Sequence, residues 1–336
     1  MGTRDGNDFE EIPCELCGSN DYRLVFRLKD YRRGSSEIFQ LVSCQKCQLV
    51  FLNPRPTREK IGSYYTKEDW FRADEKVSLE SAQVHKRPWR EVQASRCQPF
   101  LVYKQRGRIL DVGCGEGFFL KFLSEKGWDC YGVEISPMAV QYALGFGLKV
   151  EQGGIEEVSF PEDSFDVITL FANIEHLYHP LAVLKKVSYF LKEDGILYLG
   201  GIPNFDSFER RLFNERWMAL NVPQHLYHFT PKTMRHLLEE ANYQPIGMGF
   251  KSTEGRMALG YTESLRYFLS DFGMYPKRKI MGLAEPFKSH DVSRGKPLTF
   301  LLEFLHVIET TFFMGVEKLT DGIGKGSFFW ILAQKK

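Results

Sequence analysis

From about residue 105 onward, short apolar runs alternate with stretches whose apolar positions recur at helical spacing. The runs predict strands near 108–112, 129–134, 148–151, 164–171 and 195–202. The periodic stretches predict helices near 117–126, 137–145 and 181–191. Such alternation specifies an α/β fold built on a doubly wound, mostly parallel sheet with right-handed crossovers. Thr230 and Pro231 read as the N-cap and first residue of a further helix reaching Ala241. Two more strands are expected at 246–251 and 327–333.

The first part of the chain has a different rhythm. Tyr22 to Leu28 and Ile38 to Ser43 read as strands of a small ribbon, left through the stiff segment Asn53-Pro54-Arg55-Pro56. Residues 57–105 are helical by composition, and Tyr64-Tyr65 opens that stretch. A segment rich in Phe, Leu and Met occupies 253–322. Its most apolar part, Pro297 to Val316, is interrupted by Glu303, His306 and Glu309, too polar for a membrane span and too apolar for a solvated helix. It is expected to act as a lid or dimer surface. The expected division is a ribbon (1–56), a helical cap (57–105), a core (106–252), an insertion (253–322) and a last core strand (323–336).

The strand at 108–112 runs into glycines at 113, 115 and 117, and the next strand ends in Gly132-Val133-Glu134. Glycines at a strand-to-helix turn let the backbone approach a ligand, and an acid at the end of the next strand can grip a ribose diol. The spacing also fits a dinucleotide. However, Asp111 places a carboxylate just before the glycines, where a pyrophosphate needs neutral or positive surroundings. A cationic ligand such as S-adenosylmethionine, with its sulfonium and ammonium, suits an acidic cleft better.

Four of the seven cysteines form two pairs, Cys14-Glu15-Leu16-Cys17 and Cys44-Gln45-Lys46-Cys47, with 26 residues between them. Two such knuckles can bring four thiolates into the tetrahedron of a structural zinc site, leaving no open position for catalysis. A ribbon of this size has little core of its own, so a metal staple is physically reasonable. Cys97, Cys114 and Cys130 are expected to be free, and Cys114 fills a position in the glycine loop that needs a small side chain.

Lys and Arg total 44 against 43 Asp and Glu, so there is no basic excess for nucleic acid. The polar opening Met1 to Asp8 has no signal-peptide pattern, and the expected setting is cytoplasmic. Peripheral membrane contact and a homodimer remain compatible with the apolar insertion.

Asp111-Val112-Gly113-Cys114-Gly115-Glu116-Gly117 resembles the first motif of class I S-adenosylmethionine-dependent methyltransferases, and Glu134 matches their ribose-binding acid. Phe160 to Ile168, Phe171 to Leu177 and Leu191 to Leu197 resemble their later motifs in the same order. The resemblance covers roughly 105–250 and implies a seven-stranded, Rossmann-like sheet whose last two strands are an antiparallel pair. It implies S-adenosylmethionine as cofactor, held at Asp111, Gly113, Cys114, Gly115, Glu134, Ile135, Ile155, Asn173 and His176, with Glu175 helping to shape the methionine end. Gly154 stands where the family often has an adenine-binding Asp, so backbone groups and apolar contacts would hold the adenine. The ribbon is similar to the N-terminal zinc domain of some bacterial sugar C-methyltransferases and of envelope and natural-product methyltransferases.

The expected reaction is methyl transfer to a small-molecule acceptor: a sugar, a glycolipid precursor or a secondary metabolite. O-methylation with a histidine base is favoured. C- or N-methylation of a sugar, or an RNA or protein acceptor, is the alternative, and a noncatalytic scaffold is a third reading. Histidine is the side chain poised near neutral pH. The candidates are His225 first, His228 next and His176 after it, with His179 in reserve. For each, a hydrogen-bonded structural histidine is the competing reading, and His225, His228 and an acid sharing a metal is another.

Overall fold

The computed structural model describes residues 8–30, 37–65, 89–250, 261, 264–265 and 312–336. Most of the 253–322 segment lies outside the described residues, as does much of the 57–105 cap.

The first part of the chain contains β1 (Phe9–Glu10), β2 (Tyr22–Lys29), β3 (Ile38–Cys44), β4 (Val50–Leu52) and β5 (Arg55–Pro56). Among the described residues, the helices α1 (Arg58–Ile61) and α2 (Trp89–Leu101) follow. The core then alternates as expected: β6 (Arg108–Val112), α3 (Phe118–Ser124), β7 (Asp129–Glu134), α4 (Pro137–Gly145), β8 (Lys149–Gln152), β9 (Phe165–Phe171), α5 (Pro180–Phe190) and β10 (Leu191–Pro203). After α6 (Phe208–Phe213) come β11 (Tyr227–His228), α7 (Pro231–Glu240), β12 (Tyr243–Gly249) and β13 (Phe328–Lys335).

Seven strands form one sheet in the order β12-β13-β10-β9-β6-β7-β8. Strands β8, β7, β6, β9 and β10 run parallel, whereas β13 is antiparallel to both β10 and β12. This is the doubly wound, antiparallel-finished sheet that the sequence pattern and the resemblance implied. The local signals behave accordingly. The Ser136 hydroxyl accepts from Ala139 N with Pro137 opening α4, and Thr230 and Thr233 form a reciprocal capping box with Pro231 opening α7. Among the described residues, no helix is long and apolar enough to cross a membrane.

One pairing departs from expectation. The segment between β10 and α7 reads as loop throughout, yet Tyr227–His228 forms β11 and adds to the ribbon sheet, in the order β11-β4-β3-β2. Tyr227 lies opposite Phe51 and His228 opposite Val50, and Leu52 N donates to Leu226 O at 2.9 Å. The physical reason is the edge of β4, whose backbone groups need a partner and find one in the core rather than in the ribbon. Apolar side chains of the ribbon and of the large sheet accordingly merge into a single buried cluster.

Arg55 locks the junction. It is 2% exposed. Its Nε donates to Glu10 Oε1 at 2.7 Å, and its Nη1 donates to Tyr178 O at 2.8 Å and to the Tyr227 hydroxyl at 3.0 Å. The guanidinium lies 4.5 Å from the centre of the Tyr178 ring. A buried cation persists only where its donors are satisfied, and here they tie β5, β11 and the turn after β9 together.

Candidate active site

The glycine loop lies at the carboxyl ends of β6 and β7. Gly113, Gly115 and Gly117 have φ of 74°, 54° and 78°, a region that L side chains rarely adopt. A Cβ at Gly113 would come within 2.3 Å of Asn173 Nδ2, and one at Gly117 within 2.9 Å of the Ala143 Cβ. At Gly115 the space is open. The first and third glycines thus allow close packing, and the middle one leaves a clear approach for a ligand.

Glu134 ends β7 beneath this loop. Its Oε2 accepts from Gly115 N at 2.9 Å and its Oε1 from Ser136 N at 2.8 Å. Burial raises its pKa, opposed by backbone N–H groups of Ser136, Gly115 and Ile135. Asp111 is 4% exposed and its Oδ1 accepts from the Thr169 hydroxyl at 2.6 Å. Burial pushes Asp111 up to about 7, partly offset by Thr169 and by the Arg96 charge. A buried acid and a partly buried one near the same loop create an environment that a cation would relieve.

The other expected cofactor positions lie around these. Ile135 is exposed beside Glu134, and Ile155 is buried. Gly153 N donates to Glu134 O at 2.9 Å, bringing the segment before Ile155 against the end of β7. Cys114 turns inward: a Cβ at Gly132 would meet its Sγ at 2.5 Å, so its side chain packs on the sheet. Burial raises its thiol well above the usual range, consistent with no nucleophilic role. Asn173 sits against Gly113, and its buried Oδ1 has no hydrogen-bond partner among the described residues. An orphaned amide oxygen beside a glycine loop and the two carboxylates of Asp111 and Glu134 fits the ammonium of a methionine moiety.

The histidines separate into two environments. His176 follows β9, and its Nδ1 is 2.9 Å from Gln224 O and 3.2 Å from the Tyr65 hydroxyl. His225 Nδ1 is 2.9 Å from Ala219 O. The two rings are 4.7 Å apart at 81°. Sequence reasoning assigned Glu175 only to the methionine end. Its carboxylate is buried and converges with the two imidazoles, ligand atoms of all three lying within 4.8 Å of one another. His228, on β11, lies outside this group, 6.3 Å from His225 between ring centres. Burial lowers its pKa to about 3, and neither ring nitrogen has a partner among the described residues. His179 lies elsewhere, half-exposed, with Nδ1 3.3 Å from Glu15 Oε1.

The four ribbon cysteines converge. Cys14 and Cys47 sulfurs are 3.4 Å apart, Cys17 and Cys44 sulfurs 3.5 Å, and all four lie within 4.8 Å of one another. A tetrahedral zinc with Zn–S of about 2.3 Å needs sulfurs roughly 3.8 Å apart. Cys17 N and Gly18 N both donate to Cys14 O, and Gln48 N donates to Cys44 O, forming the tight turns each knuckle needs.

Residues 85–246 match a family profile described as a methyltransferase domain. A ubiquinone biosynthesis O-methyltransferase of Haemophilus ducreyi is 30% identical over 106 residues, 28% of this chain and 45% of that protein. Its namesake in Cereibacter sphaeroides is 26% identical over 153 residues, 41% of this chain and 61% of that protein. Thus the matches span less than two thirds of these two relatives. A solved SAM-dependent methyltransferase from Archaeoglobus fulgidus aligns with a TM-score of 0.45 and 20% identity, over 73% of this chain and 94% of that one. The strand order, the glycine loop with its two acids and the profile match agree: the seven-stranded core of this chain is a class I S-adenosylmethionine-dependent methyltransferase domain.

Proposed function

We propose that the protein transfers a methyl group from S-adenosylmethionine to a hydroxyl of a small-molecule acceptor. The observation that carries this reading is the convergence at the carboxyl edge of β6, β7 and β9: the glycine loop, Asp111 and Glu134 on one side, Glu175, His176 and His225 on the other. When bound, S-adenosylmethionine supplies an electrophilic methyl group, so the protein's contribution is orientation and, for a hydroxyl acceptor, disposal of a proton. Glu134 is the ribose acceptor; Asp111 and Asn173 favour the cationic end. Ile135 and Ile155 border the adenine, and backbone groups of Gly113, Cys114 and Gly115 line the loop. His225, with His176 beside it, anchors the acceptor hydroxyl and is the leading proton acceptor. His228 supports the site from β11. Cys14, Cys17, Cys44 and Cys47 hold a structural zinc.

The relatives' names, which specify O-methylation, favour an oxygen acceptor over nitrogen or carbon. The balanced charge argues against nucleic acid as the acceptor. The test is transfer of labelled methyl from S-adenosylmethionine to panels of sugars and phenols, with RNA and protein as controls. Calorimetric binding of S-adenosylhomocysteine is measured in parallel. Labelling of hydroxyl-bearing small molecules supports the proposal. Exclusive labelling of RNA or protein, or no binding of S-adenosylhomocysteine, overturns it.

A further inference from the structure

We propose that Thr169 is a positioning residue for the donor site: its hydroxyl turns between two acceptors and so holds the Asp111 carboxyl in one place whether or not that group carries a proton. The proposal deepens the methyl-transfer reading and rests on its assignment of Asp111 to the cationic end of the cofactor.

The sheet register sets up the pair. Asp111 on β6 lies beside Gly132 on β7 and beside Thr169 on β9. Residues paired across neighbouring strands project from the same face of a sheet. Gly132 has no side chain, so what the sheet itself offers the carboxyl is the Thr169 hydroxyl. Both side chains are buried, so the bond between them is not shared with bulk water.

The distances supply the device. Thr169 Oγ1 is 2.6 Å from Asp111 Oδ1 and 3.4 Å from Leu110 O. The shorter contact has the length of a hydroxyl donating to a carboxylate. A hydroxyl has one proton and two lone pairs, and it rotates to suit its partners. With Asp111 ionised, Thr169 donates to Oδ1. With Asp111 protonated at Oδ1, the carboxyl donates to Thr169 Oγ1 and the Thr169 proton swings to Leu110 O. No heavy atom has to move between the two states.

Burial opposes ionisation of Asp111. Against it stand the Thr169 bond and then the Arg96 charge from α2, while Glu134 on β7 adds to the opposition. A bond to a carboxylate is about twice as strong as one between neutral groups. The hydroxyl therefore favours the ionised state that a cationic ligand needs, and still accommodates the protonated one.

The experiment measures binding of S-adenosylhomocysteine, which retains the ammonium, and the accompanying proton release. Calorimetry is run between about pH 5.5 and 9.5 on wild type, Thr169→Val, Thr169→Ser and Asp111→Asn. Thr169→Val should extend proton release upward by about one pH unit. Its affinity should fall roughly five- to tenfold at pH 6.5 and return to the wild-type value near pH 9.5, where the carboxyl is ionised in either protein. Thr169→Ser keeps the hydroxyl and should restore the wild-type profile. A purely structural Thr169 would instead weaken binding equally at every pH. An unshifted profile in Thr169→Val, with proton release intact in wild type, overturns the proposal alone. Wild type without proton release overturns the Asp111 assignment and the proposal together. Infrared spectra of wild type need no Thr169 variant. The band of protonated Asp111, assigned by its loss in Asp111→Asn, should fall at the lowered frequency of a carboxyl that donates a hydrogen bond. A band at the frequency of a non-bonded carboxyl overturns the proposal.

Discussion

Removing the Glu134 carboxylate should damage cofactor binding by an amount the geometry allows us to work out. Each of its oxygens already accepts one backbone N–H, from Gly115 and Ser136. Each has a second lone pair, so the group can still accept one bond apiece from two ribose hydroxyls. Hydrogen bonds to a charged group contribute about 1.5–3 kcal/mol each, and two from one carboxylate are not fully additive. A loss of about 2–4 kcal/mol corresponds to a rise in Kd of roughly 30- to 1,000-fold. Glu134→Ala also frees the Gly115 and Ser136 amides, loosening the loop. Glu134→Gln retains one acceptor oxygen and should therefore fall nearer the lower end. Calorimetry with S-adenosylhomocysteine on both variants is the assay, with the melting curve of the ligand-free protein as control. If Glu134→Ala binds within threefold of wild type, the ribose assignment is wrong. If the two variants lose affinity equally, it is loop loosening, not ribose contact, that dominates.

Asp111, at about 7 without ligand, should be pulled toward ionisation by a cationic cofactor, so binding near pH 6.5 should release protons and affinity should fall below that pH. Calorimetry in buffers of different ionisation enthalpy checks this, and equal proton release from Asp111→Asn would refute it. Burial raises Glu317 to about 9, above its unfolded value of 4.5. The native state therefore holds a proton that the unfolded chain has lost, and stability falls as pH rises between those values. Glu317→Gln should flatten that slope and raise the melting temperature at pH 8; an unchanged slope counts against the assignment. Metal analysis should find zinc in the wild type, and Cys44→Ser should lose it and unfold the ribbon, because metal binding and folding are coupled. A metal-free wild type with an intact melting profile would exclude structural zinc. His225→Asn should lower single-turnover methyl transfer by about 10²–10⁴ with cofactor affinity nearly unchanged, and His228→Asn should have the smaller effect. Near wild-type turnover in both would move the proton acceptor elsewhere.

What could be read from the sequence was local. Ile109, Leu110 and Val112 before Gly113, and the run ending at Glu134, mark two neighbouring strands without help from distant residues. The two Cys-x-x-Cys pairs and the Thr230–Pro231 helix start are equally local signals. Long-range pairings were hidden. Tyr227–His228 is a two-residue strand whose partner lies about 175 positions earlier, and no periodicity can appear in two residues. Arg55 sits between two prolines in what reads as an exposed linker, and nothing nearby reveals its burial. Glu175 reads as a polar residue after a strand. Its meeting with His225 depends on how residues 217–228 fold back, which is set by the ribbon.

The pairing of β4 with β11 also bears on modularity. A cut at residue 56 looks natural in the sequence but passes through a β-sheet. A fragment beginning after it would retain the glycine loop, Asp111 and Glu134. It would leave β11 as an unpaired edge and remove Arg55 from Tyr178 and Tyr227. The glycine loop is thus built by the core alone, whereas the segment leading from His225 into β11 is held by an edge strand of the ribbon. Exchanging the ribbon would therefore disturb the His225 segment while leaving the donor loop as it is.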